Sequence, residues 1–146
     1  MYRNLTDYEI GILTMQGCSA DDWGLITVEN HFLPDNIENV KFSGNIKIGK
    51  FTKSVILFGG ITFKTGIYNA WLHNCTIEDN VLIHNVRGDI ANYHIEKESI
   101  IHNITTLAVD GETSFGNGTV INVINEEGGR AIPVYDHLSA HILCIR

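Results

Sequence analysis

At 146 residues, with 44% hydrophobic and 18% charged residues, the chain has room for one domain with a core of its own. A net charge of −7 without any basic run argues against nucleic acid as a partner, because phosphate binding needs clustered Lys and Arg. No apolar run approaches a membrane span, Met1-Tyr2-Arg3-Asn4 lacks an apolar signal core, and Cys18, Cys75 and Cys144 without a C-x-x-C spacing read as free thiols, so a cytoplasmic protein without membrane partners is expected.

Thr6-Asp7-Tyr8-Glu9 is a capping box: the Thr6 hydroxyl can accept from the Glu9 backbone N–H while the Glu9 carboxylate reaches back. A helix carrying Ile10, Ile12 and Leu13 should follow, and Gly17 is placed to end it in a left-handed conformation. Ser19 to Trp23 reads as a second short helical turn capped by Ser19, Leu25-Ile26-Thr27-Val28 as a strand, and Pro34-Asp35-Asn36 as a turn. Residues 1–36 are therefore expected to cap a stacked array, whose open end would expose strand edges. From Ile37 the inward candidates are Ile37, Val40, Phe42, Ile46 and Ile48, and Ser54 to Gly60 is apolar enough to be buried on both sides. Residues 37–132 form the array, and 133–146 a C-terminal helix capped by Asp136 or the start of a continuation.

The array is read from an internal repeat. IEDNVLIHNV (Ile77–Val86) lies over IEKESIIHNI (Ile95–Ile104) at an offset of 95 − 77 = 18 residues, which puts Ile83 over Ile101, His84 over His102 and Asn85 over Asn103. At the same offset Asn74 lies beneath Asn92 and Cys75 beneath Tyr93. Val120-Ile121-Asn122-Val123 echoes Ile101–Ile104 after 120 − 101 = 19 residues, which would add Asn122 to the column of Asn85 and Asn103. Helices space apolar residues by three and four, and hairpins alternate them. Identity at a step of eighteen instead fits a solenoid, whose turns bury their inner faces only by stacking on like turns.

Within the repeat, Ile77-Glu78-Asp79-Asn80-Val81 and Ile95-Glu96-Lys97-Glu98-Ser99 show an aliphatic, a small or acidic residue, two free positions, then a small or β-branched one. This resembles the hexapeptide repeat of the left-handed β-helix superfamily. The resemblance implies an all-β solenoid, a left-handed parallel β-helix of triangular coils of about 18 residues, to which the capping signals above add a small N-terminal helical cap and a short C-terminal helix. The left hand is implied by the resemblance alone. The whole chain, notably NCTIEDNVLIHNVRGDIANY and FGNG with NEEGGR, is also similar to the N-terminal part of an uncharacterised bacterial family of much longer β-helix proteins, some labelled sugar-nucleotide pyrophosphorylase.

His84 and His102 should stand on neighbouring coils, about 4.8 Å apart by the strand spacing. If both point outward, the pair could act as general base or as metal ligands. Hexapeptide acyltransferases use a histidine on the coil wall to deprotonate an acceptor hydroxyl or amine, so the resemblance implies His84 or His102 as base. Arg87 would then meet an anionic group, with Asn85 and Asn103 beside the substrate. The same asparagines also suit a purely structural ladder, since Asn tolerates left-handed backbone and bonds to its like above and below.

His73-Asn74-Cys75-Thr76-Ile77 resembles the HGC-containing stretch of the γ-class carbonic anhydrases, with Asn74 for the glycine and Tyr68 for a companion histidine. Three protein ligands are needed for such a zinc, so no metal site and no cofactor is expected. His137 and His141, four apart on the expected final helix, lack a third ligand. Asn125-Glu126-Glu127-Gly128-Gly129-Arg130 lacks a phosphate-loop spacing, and its glutamates would repel an anion. Three functions follow: a hexapeptide-type transferase acting on an acyl-carrier or nucleotide-sugar substrate between subunits of a homotrimer; a non-catalytic scaffold or oligomerisation module of a larger protein; and a γ-carbonic-anhydrase-like metalloenzyme. Whether the chain is an enzyme stays open at this level.

Overall fold

A computed structural model of the chain describes residues 1–57, 59–109, 120–123 and 130–133, and it divides into two units, Met1–Val109 and Asp110–Arg146. The first unit opens with β1 (Tyr2–Asn4), helix α1 (Asp7–Met15), β2 (Ser19–Ala20), a 3-10 turn (Trp23–Leu25), β3 (Ile26–Glu29) and a second 3-10 turn (Pro34–Asn36). There follow β4 (Ile37–Ser43), β5 (Ile46–Ile48), β6 (Ser54–Ile56), β7 (Thr62–Lys64), β8 (Gly66–His73) and β9 (Thr76–Ile77). β10 (Leu82–Val86), β11 (Ile90–Ala91), β12 (His94–Ile95), β13 (Ile100–Ile104) and β14 (Leu107–Ala108) complete it. In the second unit β15 (Val120–Val123) pairs antiparallel with β16 (Arg130–Pro133).

Parallel pairing at long sequence steps builds the first unit. One sheet runs β1-β3-β5-β9-β12, parallel except where β1 lies antiparallel on β3. The other runs β13-β10-β8-β11-β14, with β4 on β8 and β2 on β4. The repeat of the sequence is the register of these ladders: Ile77 pairs with Ile95, Ile83 with Ile101, His84 with His102 and Leu72 with Ile90. This is a solenoid-like repeat architecture of parallel strands.

Alternation decides what each rung buries, because successive strand residues face opposite sides. Ile37, Ile67 and Ile83 form one inward column, Phe42, Leu72 and Ile90 a second, and Ile48, Ile77 and Ile95 a third, all buried. Burying each such side chain contributes roughly 1.5–3 kcal/mol. The columns meet at corners where asparagine takes left-handed backbone. Asn39, Asn69, Asn85 and Asn103, with φ of 52°, 52°, 60° and 53°, occupy equivalent register positions, and Asn74 (50°) and Asn92 (61°) another corner. Long β8 turns through its corner at Asn69, pairing with β10 before it and β11 after it.

α1 is bounded as the sequence predicts. Thr6 and Glu9 form the capping box, and the Gly17 and Cys18 N–H groups donate to the Thr14 and Leu13 carbonyls, a Schellman ending with Gly17 at φ 79°. Glu9 also takes a two-point ion pair from Arg3 (2.7 and 2.8 Å). That pair, then hydrogen bonds from Thr6, hold the Glu9 carboxyl at about 2 against an ordinary 4.5. A carboxyl depressed in the folded state gives stability that is complete above the unfolded value and is lost as pH falls from about 4.5 to about 2. Arg3→Met should therefore raise the Glu9 midpoint, read by carbonyl-carbon NMR, and move acid unfolding to higher pH.

Three expectations are corrected. Ser19–Ala20 is a strand on β4 rather than a helical turn, and the following 3-10 turn is capped by Asp22, whose carboxylate accepts from the Gly24 N–H (2.8 Å). A parallel partner at Lys41 and Phe42 outweighs the local capping signal of Ser19. Ser54–Ile56 is not a strand buried on both sides: it forms an antiparallel hairpin with Thr62–Lys64, with Ile56 72% exposed. Val120–Val123 pairs with Arg130–Pro133 as a hairpin strand, so Asn122 lies opposite Ala131 rather than repeating the Asn85–Asn103 register. The expected helix after Asp136, with His137 and His141, lies outside the described residues, as do Asn125–Gly129 and Cys144. Strands β2 and β3 of the expected cap already pair in parallel with β4 and β5.

Candidate functional site

The wall formed by β4, β8, β10 and β13 presents Glu38, Tyr68, His84 and His102 in one register column, each next to an inward isoleucine. Over it lies the β6–β7 hairpin, inserted between two coils. The Thr65 N–H and hydroxyl both donate to the Lys53 carbonyl (2.9 Å each) and close the excursion across 12 residues. Its Phe63 ring sits 4.7 Å from the His84 ring centroid and 6.3 Å from that of His102. Tyr68 flanks His84 from the neighbouring rung at 6.1 Å. A cavity of about 570 Å³ opens between hairpin and wall, lined by Asp35, Glu38, Phe63, Lys64, Tyr68 and His84 among others. A second, about 630 Å³, is lined among the described residues by Ile56, Leu57, Ile100 and His102.

The two histidines are locked to one another. Their rings stack at 24° with centroids 5.0 Å apart, and their Nδ1 atoms are 3.1 Å apart. Asn85 Nδ2 donates to Asn103 Oδ1 (2.7 Å), and Asn103 Nδ2 donates to His102 Nε2 (2.8 Å). With the amides in this sense His102 Nε2 accepts, which puts its proton on Nδ1, given to His84 Nδ1. His84 in turn carries its proton on Nε2. Burial first, then the charge of His102, pushes the His84 pKa below its ordinary 6.5. The folded state therefore favours uncharged His84, and the stability tied to it is lost as pH falls through and below 6.5. Nitrogen-15 shifts at pH 7.5 should read Nε2–H for His84 and Nδ1–H for His102, and Asn103→Ala should leave His102 a mixture of tautomers.

Of the residues singled out by sequence, His84 and His102 come together, and Asn85 and Asn103 bond to each other beside them. Arg87 is exposed on the turn after β10, its N–H donating to the Ile104 carbonyl (3.1 Å), and it is not among the residues lining the cavity under the hairpin. His73 lies on another wall with both ring nitrogens engaged: Asn74 Nδ2 donates to Nε2 (3.0 Å), and Nδ1–H donates to Ser43 Oγ (2.8 Å). Cys18 and Cys75 are buried free thiols. Among the described residues no three His, Cys, Asp or Glu side chains gather as a metal-binding group. Also among them, no helix is long and apolar enough to cross a membrane.

Sequence reasoning missed Phe63, Lys64 and Glu38, and noted Tyr68 only as an absent histidine. The signal was present: Gly59-Gly60 separates the β-prone run Ser54–Leu57 from the alternating Ile61-Thr62-Phe63-Lys64, which is a hairpin pattern. The same insertion hid Asn39 and Asn69, whose side chains bond (2.8 Å) across a step of 30 residues, where the later corners step by 18.

Comparison with known proteins places the chain in a lineage without supplying an activity. An uncharacterized protein of Treponema pallidum (strain Nichols) is 28% identical over 142 residues, covering 90% of this chain and 20% of that protein. The chain thus spans about a fifth of the length of the curated relative it matches. No solved structure matches it significantly. A family model described as a domain of unknown function matches residues 2–146, and the chain belongs to that family, DUF4954.

Proposed function

We propose that this chain is a left-handed, hexapeptide-type β-helix wall of a transferase-like protein, which takes the acceptor end of its substrate into the cavity beneath the β6–β7 hairpin. The observation that carries this reading is Phe63 laid over His84, which turns an open coil wall into a concave site with convergent polar groups. His84 is the base of this reading, uncharged at neutral pH. In the hydrogen-bond sense described above, its Nε2 carries the proton and donates. If the Asn85 and Asn103 amides turn over together, His102 gives Nε2–H to Asn103 Oδ1, and its Nδ1 accepts from His84. His84 Nε2 then presents a lone pair, as a general base requires. The charge of the lining, Asp35 and Glu38 against Lys64, suits an amine or hydroxyl acceptor better than a diphosphate. The acyl-carrier or nucleotide-sugar donor would approach from outside, where Arg87 is exposed.

Because hairpin and wall come from one chain, the cavity does not depend on a subunit interface. A homotrimer would complete the donor side, and a cytoplasmic setting accords with the free thiols. The test is ligand-dependent unfolding with acyl-coenzyme A thioesters and nucleoside-diphosphate sugars, beside light scattering for the trimer. A ligand of either class should raise the midpoint, and Phe63→Ala should weaken its binding about tenfold, the 1.4 kcal/mol scale of a lost aromatic contact. No shift with either class, or one unchanged by Phe63→Ala and His84→Asn together, would sink the reading.

A second reading, the non-catalytic scaffold, is favoured by the bonded asparagine corners, which are structural and continue through several coils. It predicts self-association with no ligand effect. The carbonic-anhydrase-like reading has less support: Tyr68 stands where its companion histidine is expected, and among the described residues no three ligand side chains gather.

A further inference from the structure

The His84–His102 pair has a geometry that a hydrogen bond alone does not require. We propose that the two Nδ1 atoms form a two-histidine clamp for a late divalent transition-metal ion, with water or substrate filling the remaining positions. The proposal goes beyond the transferase reading and does not depend on it.

The bite is the first argument. Two nitrogens 3.1 Å apart, each about 2.05 Å from a shared ion, subtend about 98° at the metal, between the square-planar and tetrahedral angles. Parallel rungs fix this separation through the backbone pairing of His84 with His102. Phe63 and Tyr68 pack beside the rings, so the bite is held before any ion arrives.

The second argument is the surrounding hydrogen bonding. A histidine bound through Nδ1 keeps its proton on Nε2 and needs an acceptor there. In the ion-free arrangement Asn103 Nδ2 faces His102 Nε2, and Asn85 Nδ2 faces Asn103 Oδ1. Turning both amides over places Asn103 Oδ1 on His102 Nε2–H and Asn85 Oδ1 on Asn103 Nδ2. Each hydrogen bond is kept with its direction reversed. Protons balance as well: His102 moves its proton from Nδ1 to Nε2, His84 keeps its own on Nε2, and none is released.

The third argument is access. Each histidine lines a cavity, His84 one and His102 another, so solvent and a small ion can reach the pair. Two imidazoles without a carboxylate suit Cu²⁺, Ni²⁺ or Zn²⁺ over Mg²⁺ or Ca²⁺, with Cu²⁺ tightest by the usual order.

The experiment titrates tag-free chain with Cu²⁺ or Zn²⁺ alone in a non-coordinating buffer at pH 7.5. It follows heat and, for Cu²⁺, the nitrogen hyperfine pattern. One ion per chain with a two-nitrogen signature is expected. His84→Asn or His102→Asn should weaken binding at least tenfold, and Asn103→Ala about tenfold through the lost acceptor. His31→Asn and His94→Asn should change nothing. Zn²⁺ should also shift the imidazole signals of His84 and His102 in the unmodified chain, a readout independent of whether a variant folds. Absence of stoichiometric binding overturns the proposal, as do shifts confined to other histidines or full affinity in both His84→Asn and His102→Asn.

Discussion

Truncating Ile83 to alanine is expected to cost about 2–5 kcal/mol of unfolding free energy, the range for emptying a fully packed aliphatic site. Ile83 has no exposed surface and stands in the ladder between Ile67 and Ile101. Neither neighbour can collapse into the vacated volume, because backbone bonding fixes the spacing of the rungs. A solenoid adds a second consequence: each coil touches only those above and below, so loss at one rung weakens two interfaces at once. Chemical denaturation read by far-ultraviolet circular dichroism checks this. Ile56→Ala, at a hairpin residue 72% exposed, should stay within about 0.5 kcal/mol of the parent. Equal losses at the two positions would contradict the assignment of core and hairpin.

Gly66→Ala is expected to be the most damaging change that adds a single carbon, about 1–3 kcal/mol by the usual cost of overpacking. A methyl there would overlap the Asn36 carbonyl oxygen, lie 2.8 Å from the Asn36 Cβ and reach within 3.0 Å of the Tyr68 hydroxyl. The backbone cannot simply retreat, since the Gly66 N–H donates to the Val81 carbonyl (2.9 Å) and adjacent Thr65 is clipped to Lys53. Gly66 is the point where the hairpin rejoins the coil, so the variant should also loosen Phe63 over His84. Aromatic NMR should show the Phe63 and His84 ring shifts moving toward free values. Gly11→Ala is the matched control: it lies in α1 with nothing near the added carbon. That change should be neutral or stabilising by up to about 1 kcal/mol.

The register of the later coils was legible because a parallel ladder writes itself into sequence. When equivalent positions face the same surroundings on successive turns, the same residue types recur at the turn length. Ile83 over Ile101, His84 over His102 and Asn74 beneath Asn92 recur at that length, and the ladders pair them so. The period is lost where a turn carries an insertion. Hairpin residues 54–64 lengthen the step from Asn39 to Asn69 to 30, and an aliphatic run there imitates a buried strand. Val120–Val123 shows the opposite error, a likeness to Ile101–Ile104 in a segment that pairs as a hairpin. Residue pattern reports burial and alternation, and both kinds of strand share them.

By itself, then, the sequence determined the repeat, its inward aliphatic columns, its asparagine corners and the stacking of His84 on His102. Each follows from local preference repeated at a fixed step. Tertiary structure alone decided that a hairpin folds back over this pair and that Phe63, Tyr68, Glu38 and Lys64 join it. Those outcomes depend on contacts between residues with no common period, such as Phe63 with His84. A periodic pattern encodes the coil, but it carries no information about what an insertion touches once the coils have stacked.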